Sequence, residues 1–254
     1  MEDSKVFRVF PNEPRPPFVD RAEGVYIYTK DGQKLLDITS GGNHYAVLGW
    51  AHPEVNKAME IQIKKFGHMD YKLWSNENTE ELADVLISRA EHGLDRVYFG
   101  GNSGSEACEV AMKMSYQVHH DTGKTKKIWF ISREQSYHGS TADALALGER
   151  PNLEFFRKML SPYRARIPMH HPLYLQRDGE SIDDYARRSA KELEDKILEI
   201  GPDYVCGFVG ETIMGGLVGD VPPAPNYWKY IRDVCNKYNI HLILDEVYCG
   251  TGTS

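Results

Sequence analysis

Several apolar runs without alternation punctuate this chain, and each hands over to small or polar residues. Ile240-His241-Leu242-Ile243-Leu244 leads into Asp245-Glu246-Val247, and Phe208-Val209 leads into Gly210-Glu211-Thr212. Lys127-Ile128-Trp129-Phe130-Ile131 comes shortly before Ser136-Tyr137-His138-Gly139, and Arg96-Val97-Tyr98-Phe99 runs into Gly100-Gly101-Asn102-Ser103-Gly104-Ser105-Glu106-Ala107. A continuous aliphatic run has both faces covered, which predicts strands of a parallel sheet, with Leu242 to Leu244 as a buried one. Helical spacing fills the intervals. Ala107, Val110, Ala111 and Met114 make one stripe, Tyr185, Ala186, Leu193 and Ile197 a second within Ile182 to Ile200, and Tyr227, Ile231, Val234 and Tyr238 a third. Alternating helix and strand implies an α/β fold with a mostly parallel sheet.

The front of the chain reads differently. Pro11, Pro14, Pro16 and Pro17 block helix, so about the first twenty residues are expected as an irregular arm. Gly24 to Ser40 reads as short strands around an Asp31-Gly32 turn, followed by a helix over Pro53 to Lys65 with Val55, Ala58, Met59 and Ile63 inward. Residues 1–66 are therefore expected as the arm and part of a small α+β domain. Residues 67–254 are expected as a large domain opening with a helix around Leu82, Val85 and Leu86.

Composition narrows the classes without choosing among them. Of 254 residues 41% are hydrophobic and 26% charged, ordinary for a soluble protein, and a net charge of -7 gives no basic footprint for nucleic acid. No segment reads as a signal peptide or a membrane span, so a cytoplasmic setting is expected. Cys108, Cys206, Cys235 and Cys249 are scattered without a Cys-x-x-Cys pair and read as reduced thiols. The pairs His119-His120 and His170-His171 lack the i, i+4 spacing of a helical zinc site, so no metal is expected.

The residues at the strand ends carry the chemistry. A carboxylate such as Asp245 or Glu211 at the C-terminal end of a parallel strand stands where open α/β sheets bind ligands, or else solvates the strand end. Ser103 and Glu106 have capping-box spacing, and glycine with small hydroxyl residues in a helix's first turn leaves N–H groups open to a phosphate, or simply makes a strand-turn-helix junction. No Gly-Lys-Ser/Thr follows, which excludes a Walker loop, and no Gly-x-Gly-x-x-Gly turn is present here. Tyr137 beside glycine offers a ring face to a planar ligand, or is a packing detail of its loop. Together, a phosphate cradle, an aromatic plate and two carboxylates on one sheet edge describe a site for a phosphorylated aromatic cation.

The ordered set of motifs resembles the class III (subgroup II) aminotransferases, pyridoxal-phosphate enzymes with the aspartate-aminotransferase type fold (PLP fold type I). It runs through Gly24-Val25-Tyr26, Asp31-Gly32, Leu48-Gly49-Trp50-Ala51-His52-Pro53, Asn102 to Ala107, Tyr137-His138-Gly139, Pro222-Pro223, Tyr227-Trp228, and Asp245-Glu246-Val247 with Gly250 and Gly252. The resemblance implies that Gly104 and Ser105, with Ser103, hold the phosphate of pyridoxal 5'-phosphate. It implies that Tyr137 stacks on one ring face, Val247 packs against the other, and Asp245 pairs with the pyridinium nitrogen, keeping it protonated so that the ring accepts electrons from the substrate. Glu211 resembles the glutamate that orders the site beside Asp245, with Thr212 where many relatives have proline and Met214 where many have glutamine.

It also implies that the lysine forming a Schiff base with the cofactor lies a few dozen residues past the Asp-Glu-Val strand, beyond Ser254. None of Lys113, Lys124, Lys126 or Lys127 falls in that element. The large domain is accordingly expected to be incomplete at the C-terminus, exposing an apolar edge prone to aggregation, and the chain alone to be inactive. The expected function is transfer of an amino group from an amino acid or amine donor to a 2-oxo acid acceptor, by a homodimer when intact. An aminomutase on the same scaffold, or a non-catalytic truncated fragment that binds cofactor or dimerises, stays open beside it. Tyr71 and Trp74 line the substrate entrance in this picture, or pack an interface.

Overall fold

The computed structural model describes residues 5–6, 14–40, 46–70, 72–90 and 93–250, so Tyr71 and Gly252 lie outside the described residues. The chain divides into two compact units, Met1–Arg96 and Val97–Ser254. In the first, β1 (Val19–Glu23), β2 (Tyr26–Thr29) and β3 (Lys34–Leu36) form an antiparallel sheet in that order. The β2–β3 hairpin turns at the expected Asp31-Gly32, where Gly32 takes φ +89° and Thr29 N–H donates to Gln33 O at 3.0 Å. Trp50 Nε1 donates to Asp37 Oδ2 at 2.8 Å, tying the segment after the sheet back to it.

Helix α1 (Pro53–Ile63) opens on a proline, whose missing N–H is not needed in a first turn. Helix α2 (Glu77–Arg89) opens on Asn76, whose side chain accepts from Thr79 N–H at 3.0 Å. Neither helix buries any of its residues: Val55, Met59 and Ile63, expected inward, are exposed, as are Leu82 and Val85. An apolar stripe states which face seeks cover, not what covers it.

The second unit is a four-stranded parallel sheet in the order β5 (Arg164–Ile167), β4 (Trp129–Arg133), β6 (Val205–Glu211), β7 (His241–Asp245). On one face α6 (Ile182–Ile200) and α7 (Tyr227–Tyr238) bury Tyr185, Leu193, Ile197, Tyr227 and Ile231 against Ile131, Ile167 and Phe208. Ser181 caps α6 by accepting from Asp184 N–H at 3.1 Å. The other face carries α3 (Gly104–Asp121) and α4 (Ala142–Leu147), with Met112, Phe130, Leu147, Cys206 and Val209 as its core. The remaining helical pieces are α5 (Pro172–Leu175) and a 3-10 segment, Pro151–Met159. A register irregularity between Trp129↔Val205 and Phe130↔Gly207 puts Val205 on the same face as Phe208 and Cys206 with Val209.

Three expectations are corrected. Arg96 to Phe99 forms no strand: a strand needs a neighbour for its N–H and C=O groups, and neither edge of this sheet, β5 or β7, pairs with it. Leu242 to Leu244 is not doubly covered; β7 is an edge strand with Leu244 exposed. On α3 the buried face is Cys108, Met112, Ser115 and His119, while Ala107, Val110, Ala111 and Met114 line an open cavity. Among the described residues no helix is long and apolar enough to cross a membrane.

Candidate active site

Parallel strands end on a common edge, so Arg133, Glu211 and Asp245 arrive together at the C-terminal ends of β4, β6 and β7. Glu211 and Asp245 are register partners, and in a parallel pair such residues project to the same face. That face is the one covered by α3. The phosphate-type turn thus reaches the edge through helix packing rather than through a strand of its own.

Asp245 is almost fully buried and its carboxylate is held by three donors. His138 Nδ1 lies 2.8 Å and Cys108 Sγ 3.7 Å from Oδ2, while Val247 N–H donates to Oδ1 at 3.1 Å. Burial pushes the Asp245 pKa up. The hydrogen bond and charge of His138, with the Val247 N–H and the Cys108 thiol, outweigh burial and leave it below the ordinary carboxylate value. Cys108 pays in the opposite direction: burial, then the Asp245 charge, push its thiol up to about 12, so it is a neutral S–H donor. Glu211 moves upward, because burial and the Asp245 charge outweigh the positive fields of His138 and Arg133.

Arg133, itself buried, donates through Nη2 to the backbone carbonyl of Glu211 and so laces β4 to β6 at the edge. Its guanidinium carbon lies 5.4 Å from the Trp228 ring centre, and Trp228 Nε1 donates to Thr212 O at 3.2 Å. Gly210 is the close approach beneath that indole: a Cβ there would stand 2.9 Å from Trp228. The Tyr227-Trp228 signature is therefore a wall of the same edge.

The first turn of α3 forms as its sequence requires. Ser103 Oγ accepts from Glu106 N–H at 3.3 Å, while the Glu106 carboxylate reaches back to accept from Asn102 N–H and, at 3.5 Å, from Ser103 Oγ. A Cβ on Gly104 would meet Val247 Cγ2 at 2.6 Å, so the second residue after the Asp245 strand seats directly on this turn. Ser105 Oγ accepts from Ser140 N–H at 3.0 Å, and Gly139, at φ +137°, leaves room for Ser105 where a Cβ would come within 2.6 Å of its Oγ. Tyr137 OH lies 3.0 Å from Ser140 Oγ, in the same loop. Ser103, Gly104, Ser105, Tyr137, Val247, Asp245 and Glu211 are thus gathered within this one unit, Tyr137 and Val247 with exposed side chains. A cavity of about 370 Å³ adjoins this turn, bounded by Tyr98, Gly100, Ser103, Gly104 and Met114.

His138 and Cys108 are the functional candidates that sequence reasoning left without roles. His138 stood in the Tyr137-His138-Gly139 motif, but its partner lies 107 residues on, and that of Cys108 137 residues on, so no local spacing signals either contact. Among the described residues, Cys108, His138 and Asp245 are the group with metal-type donor atoms mutually within 4.8 Å. Here they are joined by hydrogen bonds to one carboxylate oxygen. Lys127 sits at the other end of β6, its Nζ donating to Pro202 O and Val205 O at 3.0 and 2.7 Å.

The chemistry of the edge fits an aromatic cation bearing an anionic arm. A carboxylate has about four acceptor positions, three of which are used on Asp245, leaving capacity for one further N–H. His138 Nε2 and Glu211 Oε2 are buried there without partners.

Known proteins point to the same chemistry. The family model for class-III aminotransferases matches residues 10–254. An uncharacterized aminotransferase of Schizosaccharomyces pombe is 39% identical over 97% of this chain and 53% of its own length, and the gamma aminobutyrate transaminase 2 of Solanum lycopersicum is 35% identical over 93% and 52%. The crystal structure of an omega transaminase from Pseudomonas jessenii in complex with PMP superposes with a TM-score of 0.87 at 33% identity, over 97% of this chain and 55% of that one. The chain thus spans about half the length of the relatives it matches.

Proposed function

Since the chain belongs to the class-III aminotransferases, whose cofactor is pyridoxal 5'-phosphate, we propose that it supplies the cofactor-holding half of a transaminase. The whole protein would move an amino group from an amino acid or amine to a 2-oxo acid, acting as a homodimer. One observation carries the reading: a buried carboxylate, Asp245, kept ionised at a sheet's C-terminal edge and braced by His138, Cys108 and Val247.

Bound pyridoxal phosphate supplies an electron-withdrawing pyridinium that stabilises charge developing at the substrate Cα. The protein's part is then specific. Asp245 holds the proton on the ring nitrogen, and the fields of His138 and the Val247 N–H keep Asp245 from taking that proton itself. Ser103, Gly104 and Ser105 offer N–H groups and hydroxyls of the α3 N-terminus to the phosphate, where the helix dipole favours an anion. Tyr137 and Val247 bound the ring, and Arg133 fixes Glu211 beside Asp245 through its backbone carbonyl. A reducing, cytoplasmic setting belongs to the same proposal, one in which buried thiols such as Cys108, Cys206, Cys235 and Cys249 stay reduced.

The test is equilibrium titration of the full-length protein with pyridoxal phosphate by absorbance, followed by amine screening against pyruvate and 2-oxoglutarate. Saturable binding that Gly104→Leu weakens, together with amino transfer, supports the proposal. Absence of binding at millimolar cofactor overturns it.

A further inference from the structure

Arg150 stands at the aromatic plate with, among the described residues, no acceptor for its donors. Its guanidinium carbon is 3.9 Å from the Tyr137 ring centre. Nε is buried without a hydrogen-bond partner, and among the described residues the side chain makes no hydrogen bond or ion pair. Its chain neighbour Glu149 is committed elsewhere, to Arg157 at 3.6 Å and Gln135 N–H at 3.3 Å.

Its place is fixed by the backbone rather than by chance. Glu149 N–H donates to Ser136 O at 3.0 Å, and Arg166 Nη2 donates to Ala146 O and Gly148 O at 2.6 Å each. A Cβ on Gly148 would stand 3.0 Å from Ser136 O, so the segment entering Arg150 is packed against the Tyr137 loop. That loop in turn touches the α3 first turn through Ser140 N–H and Ser105 Oγ. A half-buried guanidinium pays desolvation, and stacking on a ring face returns only part of it. An oxyanion bound in the bidentate geometry that suits arginine would return the rest.

We infer that Arg150 is a receptor for an oxyanion of the ligand that binds at Tyr137, either a carboxylate of the reacting amine or oxo acid, or the phosphate of the cofactor. The inference rests on the proposed function and adds to it a selecting residue: the first source makes the protein prefer carboxylate-bearing substrates over simple amines, the second makes Arg150 part of the cofactor cradle.

Paired ligands that differ only in the anion test it, using full-length wild type, Arg150→Gln and Arg150→Lys, each checked for an unchanged melting transition. Dissociation constants are measured for pyridoxamine phosphate and pyridoxamine, and KM and kcat for 4-aminobutyrate and 1-aminobutane. Arg150→Gln is expected to weaken the anion-bearing member of one pair by about 10- to 100-fold while leaving the other member within about twofold, with Arg150→Lys intermediate. The affected pair identifies the source. Equal effects on both members of each pair, or no effect on any, overturn the inference. Failure of the wild type to bind pyridoxamine phosphate sinks the proposed function and this inference with it, and that arm is read before any variant.

Discussion

The two ends of the parallel sheet bury polar side chains in opposite ways. At the end where the strands start, most such groups described are answered by the protein; the exception is Arg164 Nε, on a guanidinium whose other nitrogens meet Tyr163 O at 2.8 Å and Asp143 at 3.0 Å. Lys127 Nζ is surrounded by Pro202 O, Val205 O and, at 3.4 Å, Tyr238 O. His119 Nε2 meets Cys206 O at 3.0 Å and its ring stacks on His241, whose Nδ1 meets Ser115 Oγ at 2.7 Å. At the end where the strands finish, His138 Nε2, Glu211 Oε2, Arg133 Nε and Arg150 Nε are buried and unanswered. Unpaired buried polar groups cost about 1–3 kcal/mol each, so the first end is built for stability and the second retains a cost that a ligand can relieve.

The largest expected break in this contrast is Asp245→Asn. The fold should persist, because the amide keeps the volume, while transamination by the full-length protein falls by roughly 10²-fold or more, as for loss of a catalytic proton-holding group. Undiminished kcat/KM would sink the role given to Asp245.

Acid should attack the other end and the buried histidines. Burial holds His119 down at about 4 and His170 down at about 3 from an ordinary 6.5, and His170 Nε2 is occupied accepting Ala224 N–H at 3.0 Å. The unfolded chain therefore binds more protons than the folded one below 6.5. Stability is full above about pH 6.5 and falls as the pH drops toward 4 and then 3, by on the order of a few kcal/mol. Denaturant midpoints that stay level from pH 7 to 4.5 would contradict this.

Lys127→Met sharpens the comparison from the stable side. Stripping three carbonyls of their donor should cost about 1–3 kcal/mol in urea unfolding and leave cofactor affinity unchanged. Cys108→Val is the smallest effect. It removes a weak donor from Asp245 at nearly constant volume, and a two- to fivefold loss in pyridoxamine phosphate affinity, recovered by Cys108→Ser, is expected on the order of a weak S–H bond. Equal loss in both variants would mark Cys108 as packing only.

Short-range chemistry was legible in the sequence. The stripe of α6, the Ser103 cap, the Asp31-Gly32 turn and the acids closing β6 and β7 each depend on neighbours a few residues away. What sequence did not disclose depends on distant partners. Arg96 to Phe99 has strand composition and no strand beside it, and α3 turns Cys108 and His119 inward because β6 and β7 offer them Cys206 O and Asp245. The candidate residues themselves were readable as a motif set, whereas the braces on Asp245, which set its charge, were not.

The contact between Gly104 and Val247 has a thermodynamic consequence. It joins the turn offered to an anion to the strand end that bears Asp245, so the two halves of a ligand are felt by one mechanical element. Affinities of inorganic phosphate and of pyridoxamine, each alone, should then not sum to that of the joined molecule after linker entropy is counted. One half-ligand should change the dissociation constant of the other, by the same factor in either order of addition.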